Sequence, residues 1–236
     1  MRWVKTRRGL RLLHGRHTVS EALAEPGPTH SVFDLLGAAC ALYAPGPNVA
    51  VLGFAAGGLM APLRALGSTA AVEGVDLSIE GARAFRALAG RWADPFGVIE
   101  EDAVRFLQRK GPRFDAIIED LSMQIPGDVT KPPVSLSPLP ELIAARLKPS
   151  GVAIFNVLPV VELRISQVVE QLAKPLDRPG FVVYFKEFDN RILVLGKGLP
   201  DASEVRSPLR AALRKIGSRQ ADRIRVGRWP RQPLSG

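Results

Sequence analysis

A mainly parallel α/β sheet with helices on both faces is the fold this sequence predicts, on three observations. Short apolar strands alternate with helical stretches from residue 49 to residue 173, the rhythm of βαβ units. Two of those strands, 49–52 (VAVL) and 114–119 (FDAIIE), are mostly apolar, as a sheet covered on both faces requires. The stretch 49–76 (VAVLGFAAGGLMAPLRALGSTAAVEGVD) runs strand, glycine turn, helix, strand and closes on an acid, the layout of a nucleotide-binding unit.

The bulk properties agree. With 236 residues, 46% hydrophobic and 23% charged, the chain suits one large domain with small appendages. No apolar run reaches the ~18 residues of a membrane span. The first 17 residues, MRWVKTRRGLRLLHGRH, are basic but lack the apolar core of a secretory signal. Cys40 is the only cysteine, which excludes an internal disulfide and suits the cytoplasm. The net charge of +9 lies at the ends: +6 over residues 1–20 and +7 over 203–236, against −4 between them. Such ends could touch nucleic acid, but solvated ends in a chain with 24 Arg and 8 Lys are the preferred reading.

Taken in order, residues 1–27 offer an apolar run, a glycine turn at Gly15 and a second extended run, a small β-hairpin or cap. Pro26-Gly27-Pro28 marks a boundary, and 31–44 (SVFDLLGAACALYA) is a mostly buried helix. After the strand at 49–52, residues 53–58 form the turn and 59–66 a helix, with Pro62 near its first turn. A strand at 70–75 leads to a helix at 79–92 that Ser78 can cap. A short strand at 98–99 precedes a helix at 103–110 with Asp102 as its cap. Beyond the strand 114–119 comes a long loop, 120–137, with Pro126, Gly127, Pro132 and Pro133. Loops of that length are usually functional or mobile. A helix at 138–148, a strand at 152–158 and a helix at 160–173 follow, and 181–186 with 191–195 form a C-terminal antiparallel hairpin. Seven strands result. Ser207 and Pro208 would open a basic C-terminal helix ending at Ile216, with 217–236 as a loose tail. The units are therefore 1–27, 28–198 and 199–236.

Ligands of such sheets bind beyond the carboxyl ends of the strands. Three acids fall there: Asp76 after the second strand, Asp102 after the third and Asp120 after the fourth. Small residues at 55–58 let backbone pass close to a ligand, although the turn is not G-x-G-x-x-G. An acid at 76 can accept hydrogen bonds from a ribose diol; Asp102 could equally be a plain helix cap. Asp120 opens the long loop beside Glu119 and could bind a cation or act as a base. His14, His17 and His30 lie outside the βαβ core and have no metal spacing, and no metal is expected. Neither a G-x-S-x-G elbow nor a Walker lysine is present.

VAVLGFAAGG, EGVDLSIEGAR, EEDAVRFLQRKGPRFDAIIEDLS and ARLKPSGVAIFNVL, in that order and spacing, resemble the spermidine synthase family and its methyltransferase-like relatives over about residues 31–198. The resemblance implies a seven-stranded Rossmann-like methyltransferase-type sheet. As co-substrate it implies S-adenosylmethionine or decarboxylated S-adenosylmethionine, held by Gly53, Phe54, Ala55, Gly57, Gly58, Asp76, Leu77, Asp102, Ala103 and Asp120. It places Asp102-Ala103 at the adenine and makes Asp120 the group that holds or deprotonates the acceptor. Gly74-Val75-Asp76 falls where the family has Glu-x-Asp, so Asp76 or Glu73 must take the ribose. There are departures. Met123 and Gln124 stand where spermidine synthases carry a second acid and a proline, Ala56 replaces an acid in the turn, and residues 30–34 (HSVFD) replace a Tyr-His-Glu signature. A polyamine channel needs several carboxylates, and most are missing.

The expectation is a cytoplasmic transferase that moves a methyl or aminopropyl group from a sulfonium nucleoside to a small acceptor other than putrescine. The alternative is a weak or inactive nucleoside-binding protein of the same fold, in contact with nucleic acid through its basic ends. An NAD-dependent oxidoreductase is disfavoured by the turn. A homodimer is left open by the resemblance, and no membrane partner is expected.

Overall fold

The structure is a computed structural model and describes residues 2–14, 17–126 and 128–229. The expected turn at Gly15, the loop glycine Gly127 and the end of the expected tail, 230–236, lie outside the described residues.

The chain begins with a three-stranded antiparallel sheet, β1 (Arg2–Thr6), β2 (Gly9–His14) and β3 (His17–Leu23), one strand more than a hairpin. Next come α1 (Val32–Tyr43), β4 (Asn48–Leu52), α2 (Met60–Ala65), β5 (Ala71–Asp76), α3 (Glu80–Ala89), β6 (Phe96–Glu100), α4 (Ala103–Gln108) and β7 (Phe114–Glu119). The expected long loop is not featureless. It holds a small hairpin, β8 (Met123–Ile125) and β9 (Asp128–Thr130), and a short helix α5 (Pro133–Leu136). The chain continues through α6 (Leu139–Arg146), β10 (Leu147–Val157), α7 (Ile165–Ala173), β11 (Gly180–Phe185), β12 (Arg191–Leu195), α8 (Ala202–Lys215) and β13 (Ile224–Trp229).

The main sheet has eight strands in the order β13-β11-β12-β10-β7-β4-β5-β6. β10, β7, β4, β5 and β6 run parallel, while β12, β11 and β13 each pair antiparallel with a neighbour. The chain leaves β4 towards β5 and β6, then returns to the other side of β4 to lay down β7. That reversal is a topological switch point, where a crevice opens beyond the carboxyl ends of the strands. The residues at that place are Gly53 and Asp120. The Asp120 amide donates to Leu52 O (2.9 Å) and the Gly53 amide to Val75 O (2.9 Å).

Alternate residues of the strands feed two cores. On one face Val49, Val51, Ile118 and Ile154 meet α1, α2, α3 and α8; on the other Leu52, Ile117, Phe155 and Leu193 meet α4, α6 and α7. Burying both faces explains the near-continuous apolar strands. Among the described residues, no helix is long and apolar enough to cross a membrane.

The C-terminus corrects the sequence reading twice. Helix α8 starts at Ala202, six residues before Pro208, because Asp201 and Glu204 form a capping box there; Pro208 lies inside the helix. Residues 224–229, expected in a loose tail, pair with β11 along its whole length. Their alternation of apolar and basic residues suits an edge strand, with arginines discouraging further pairing. Helix α8 contributes Val205, Leu209 and Leu213 to the core that holds α1.

Candidate active site

Two cavities open beyond the carboxyl ends of the parallel strands, and Asp120 and Ser122 line both.

The smaller, about 360 Å³, is bounded by Gly53, Ala55, Asp76, Leu77, Ser78 and Leu121 at and beyond the strand ends, by Glu80 and Gly81 of α3, and by Trp3 and Leu12 of the N-terminal sheet. Its floor is the glycine turn. Gly53 has φ +84°, and a Cβ there would lie 2.8 Å from Asp120 O, so only glycine fits. Ala55 also has positive φ, +46°, a conformation that costs a side-chain-bearing residue free energy. Two contacts hold it there. The Ala55 amide donates to Asp76 Oδ2 (2.7 Å), and α3 approaches so closely that a Cβ on Gly81 would sit 2.3 Å from Ala55 O. The N-terminal sheet ties down the next residue, with the Ala56 amide donating to the buried Ser20 Oγ (3.2 Å). Asp76 therefore shapes the turn and also presents a carboxylate to the cavity. Its Oδ1 accepts from the Ser78 amide (3.2 Å), and each oxygen keeps lone-pair capacity for a ligand.

Of the ten residues the sequence nominated for the nucleoside, Gly53, Ala55, Asp76, Leu77 and Asp120 line this cavity. The other five do not. Phe54 is 2% exposed and turns inward, stacking on Phe96 (centroids 5.7 Å apart, planes 9° apart) and meeting Phe85 edge-on. It fills the space beside Gly74, where a Cβ would come within 2.5 Å of the Phe54 ring. Position 74 thus cannot present an acid to a ribose, and Glu73 lines a separate groove with Asn48, Ala71 and Arg113. Gly57 and Gly58 are packed under Phe85 and Phe33. Asp102 caps α4, accepting from the Arg105 amide (3.0 Å), and Ala103 is buried in the core below it; neither lines the cavity.

The larger cavity, about 620 Å³, draws on distant segments. Arg11, Thr18 and Glu21 come from the N-terminal sheet, Thr29 to Phe33 from the entry to α1, Asn156 and Leu158 from the end of β10, Phe188 and Asn190 from the β11–β12 turn, and Arg219 from beyond α8. Asp120 faces it as the last member of a short relay. Asn190 Nδ2 donates to Asn156 Oδ1 (2.9 Å), and Asn156 Nδ2 donates to Asp120 Oδ1 (2.6 Å). Burial pushes the Asp120 carboxyl up to about 7; the Asn156 hydrogen bond and the charge of Lys131 pull the other way. A carboxyl poised there can take a proton near neutral pH.

Behind Asp120, Glu119 and Lys131 form an ion pair with both side chains fully buried. Glu119 Oε1 also accepts from Ser135 Oγ (2.7 Å) and the Leu121 amide (3.2 Å), and Lys131 Nζ donates to Leu121 O (3.0 Å). This cluster fastens the 120–137 segment to the end of β7. Glu119 is thus structural, and Asp120 is the acid that faces the cavities.

His30, which the sequence reading set aside, lies on the wall of the larger cavity. Its φ of +63° is held by Asp34, a wholly buried carboxylate that accepts from the Thr29 amide (2.6 Å), Thr29 Oγ1 (2.7 Å), the His30 amide (2.9 Å) and Ser218 Oγ (2.5 Å). Burial lowers the His30 pKa, with Asp34 opposing, so the imidazole is neutral at neutral pH. Its Nδ1 accepts from the Arg219 amide (3.4 Å). Asn156, Asn190, His30 and Arg219 were not found from sequence as site residues. Asn156 alone left a trace, as a polar residue in the apolar strand VAIFNVL. Among the described residues, no group of three or more His, Cys, Asp or Glu is placed to hold a metal.

No protein-family model matches the chain, and no curated protein matches it by sequence. Solved structures do match. A probable spermidine synthase from Corynebacterium glutamicum superposes at a TM-score of 0.71 with 15% identity, covering 93% of this chain and 82% of that one. Human methyltransferase-like protein 13, solved in complex with SAH, gives 0.56 with 18% identity, covering 78% and 90%. The O-methyltransferase from Bacillus cereus, also in complex with SAH, gives 0.52 with 20% identity, covering 72% and 84%. The chain has the fold shared by spermidine synthases and class I methyltransferases: a mainly parallel sheet with an antiparallel C-terminal hairpin, carrying a small N-terminal β-sheet.

Proposed function

We propose that this protein is a transferase that binds S-adenosylmethionine or its decarboxylated form in the smaller cavity and moves a methyl or aminopropyl group to a small acceptor in the larger. The observation that carries this reading is the position of Asp120, on the wall of both cavities at the switch point of the sheet. An alkyl transfer needs two reactants side by side with one group able to accept the proton the nucleophile sheds.

The residues present fit the nucleoside. Asp76 offers a carboxylate to a ribose diol, Gly53 and Ala55 offer backbone without bulky side chains, and Leu77 and Trp3 are exposed apolar residues on the same wall that suit an adenine face. When bound, the nucleoside supplies an electrophilic carbon on a sulfonium. The chain's own part is positioning. The Asn190-Asn156 relay fixes the Asp120 carboxylate, the Glu119-Lys131 cluster fixes the backbone that carries it, and Trp3 and Leu12 add apolar surface to the smaller cavity. In its ionised form Asp120 accepts the proton of the attacking hydroxyl or amine. Asp102, already engaged as a helix cap, has no part in this reading.

Titration calorimetry with S-adenosylmethionine, its decarboxylated form and NAD tests the proposal. Binding of either sulfonium nucleoside and not of NAD is expected; binding of NAD alone would overturn it.

A further inference from the structure

The larger cavity carries little free negative charge. Of its two carboxylates, Glu21 is paired with Arg11 (2.9 Å), which leaves Asp120, positioned by Asn156, as the one outside an ion pair. A diamine seated there would find a carboxylate for one ammonium at most, leaving the other without a carboxylate of its own. The cation count points the other way. Arg11 has its acid, but the Arg219 guanidinium makes no hydrogen bond or ion pair among the described residues, although it lines the cavity. Its backbone is fixed on both sides. Ser218 Oγ donates to the buried Asp34, the Arg219 amide donates to His30 Nδ1, and Gln220 Nε2 donates to His30 O (2.9 Å). A guanidinium on a fixed backbone beside a cavity is suited to a planar two-oxygen anion, which it can meet with two parallel hydrogen bonds. The rest of the wall is partly apolar, with Phe33, Phe188, Val129 and Leu158, and Asn190 adds a neutral amide.

We infer that the larger cavity binds a carboxylate with an apolar body, its charged end on Arg219 and its nucleophilic atom towards Asp120. This rests on reading the larger cavity as the acceptor's. It also gives the C-terminal segment a purpose: Asp34 and His30 latch residues 218–220 so that Arg219 completes the cavity.

The test is calorimetry on the full chain, with and without SAH, using benzoate, 3-phenylpropanoate and octanoate, the amide of each, and putrescine. At least one carboxylate is expected to bind about tenfold or more tightly than its amide, since the amide cannot accept a charge-assisted pair, and more tightly than putrescine. Arg219→Gln should erase the preference for carboxylate over amide, and Arg219→Lys should keep part of it. Thermal melts check that each variant is folded, and unchanged SAH affinity checks that the smaller cavity is intact. Putrescine binding in preference to every carboxylate, no carboxylate binding, or an undiminished preference in Arg219→Gln would overturn the inference. If SAH binds and no carboxylate does, the acceptor class is wrong and the nucleoside reading stands. If a carboxylate binds through Arg219 and no nucleoside does, the anion site stands and the nucleoside reading falls.

Discussion

The two cavities that meet at Asp120 are built in opposite ways. The smaller is mostly local. Its floor and acid come from one βαβ unit and the start of the next helix, and backbone does much of the work: the positive φ of Gly53 and Ala55, the close approach of Gly81, the Asp76 carboxylate pinning an amide. The larger is assembled from side chains separated by up to 208 positions, from Arg11 to Arg219. A cavity made of backbone and small residues suits a ligand whose shape is constant. One made of distant side chains can change its contents without disturbing the sheet. The difference explains why the turn and its acid can be read from local sequence while the lining of the larger cavity cannot.

The largest expected effect comes from breaking the point the cavities share. Asp120→Asn keeps size and hydrogen bonding but cannot accept a proton, so turnover should fall about 10²- to 10⁴-fold, with SAH affinity within a few-fold of wild type. The pH profile adds an independent reading. A base pushed up to about 7 is protonated and idle at lower pH, so kcat/KM should rise through about pH 7 and level off above it. The Asn variant should lose that rise. A flat wild-type profile across pH 6–8 would remove Asp120 from the role of base.

Next in size is the support behind it. Lys131→Met leaves Glu119 buried and unpaired, which should cost about 3–5 kcal/mol of stability in urea unfolding. Adding Glu119→Leu should recover most of the loss, because an apolar pair of similar volume replaces the ions. No recovery in the double variant would show that the pair does more than compensate charge.

How far the sequence reached follows the same division. The βαβ unit, Gly53, Asp76 and Asp120 were legible because each sits at a strand end, and strand ends are marked by local pattern. Phe54 was not: a turn position gives no sign that its side chain folds inward against Phe96 and Phe85 beside Gly74. Asn190 looked like turn chemistry and nothing more, because its partner Asn156 is 34 residues away. β13 was missed because its partner strand β11 lies some forty residues earlier, although its alternation was visible. Asp34 read as one acid in an apolar helix; only the fold brings Ser218 to it.

Two smaller perturbations should separate the cavities. Asp76→Ala removes both the pin on Ala55 and the carboxylate offered to a ribose, so SAH affinity should fall roughly 10- to 100-fold, the range of a lost hydrogen bond involving a charge. The carboxylate binding assigned to the larger cavity should not change. Ser218→Ala removes one of four donors to Asp34. It should cost about 1–2 kcal/mol of stability and weaken carboxylate binding a few-fold, with SAH affinity intact. A Ser218→Ala variant that loses SAH instead would mean that the two cavities are not independent.

The most direct measurement is a calorimetric titration of SAH into the wild type, Asp76→Ala and Arg219→Gln. The account predicts one site per chain in the wild type, weakened by Asp76→Ala and left unchanged by Arg219→Gln. Absence of binding in the wild type, or loss through Arg219→Gln with Asp76→Ala unaffected, would contradict the placement of the nucleoside in the smaller cavity.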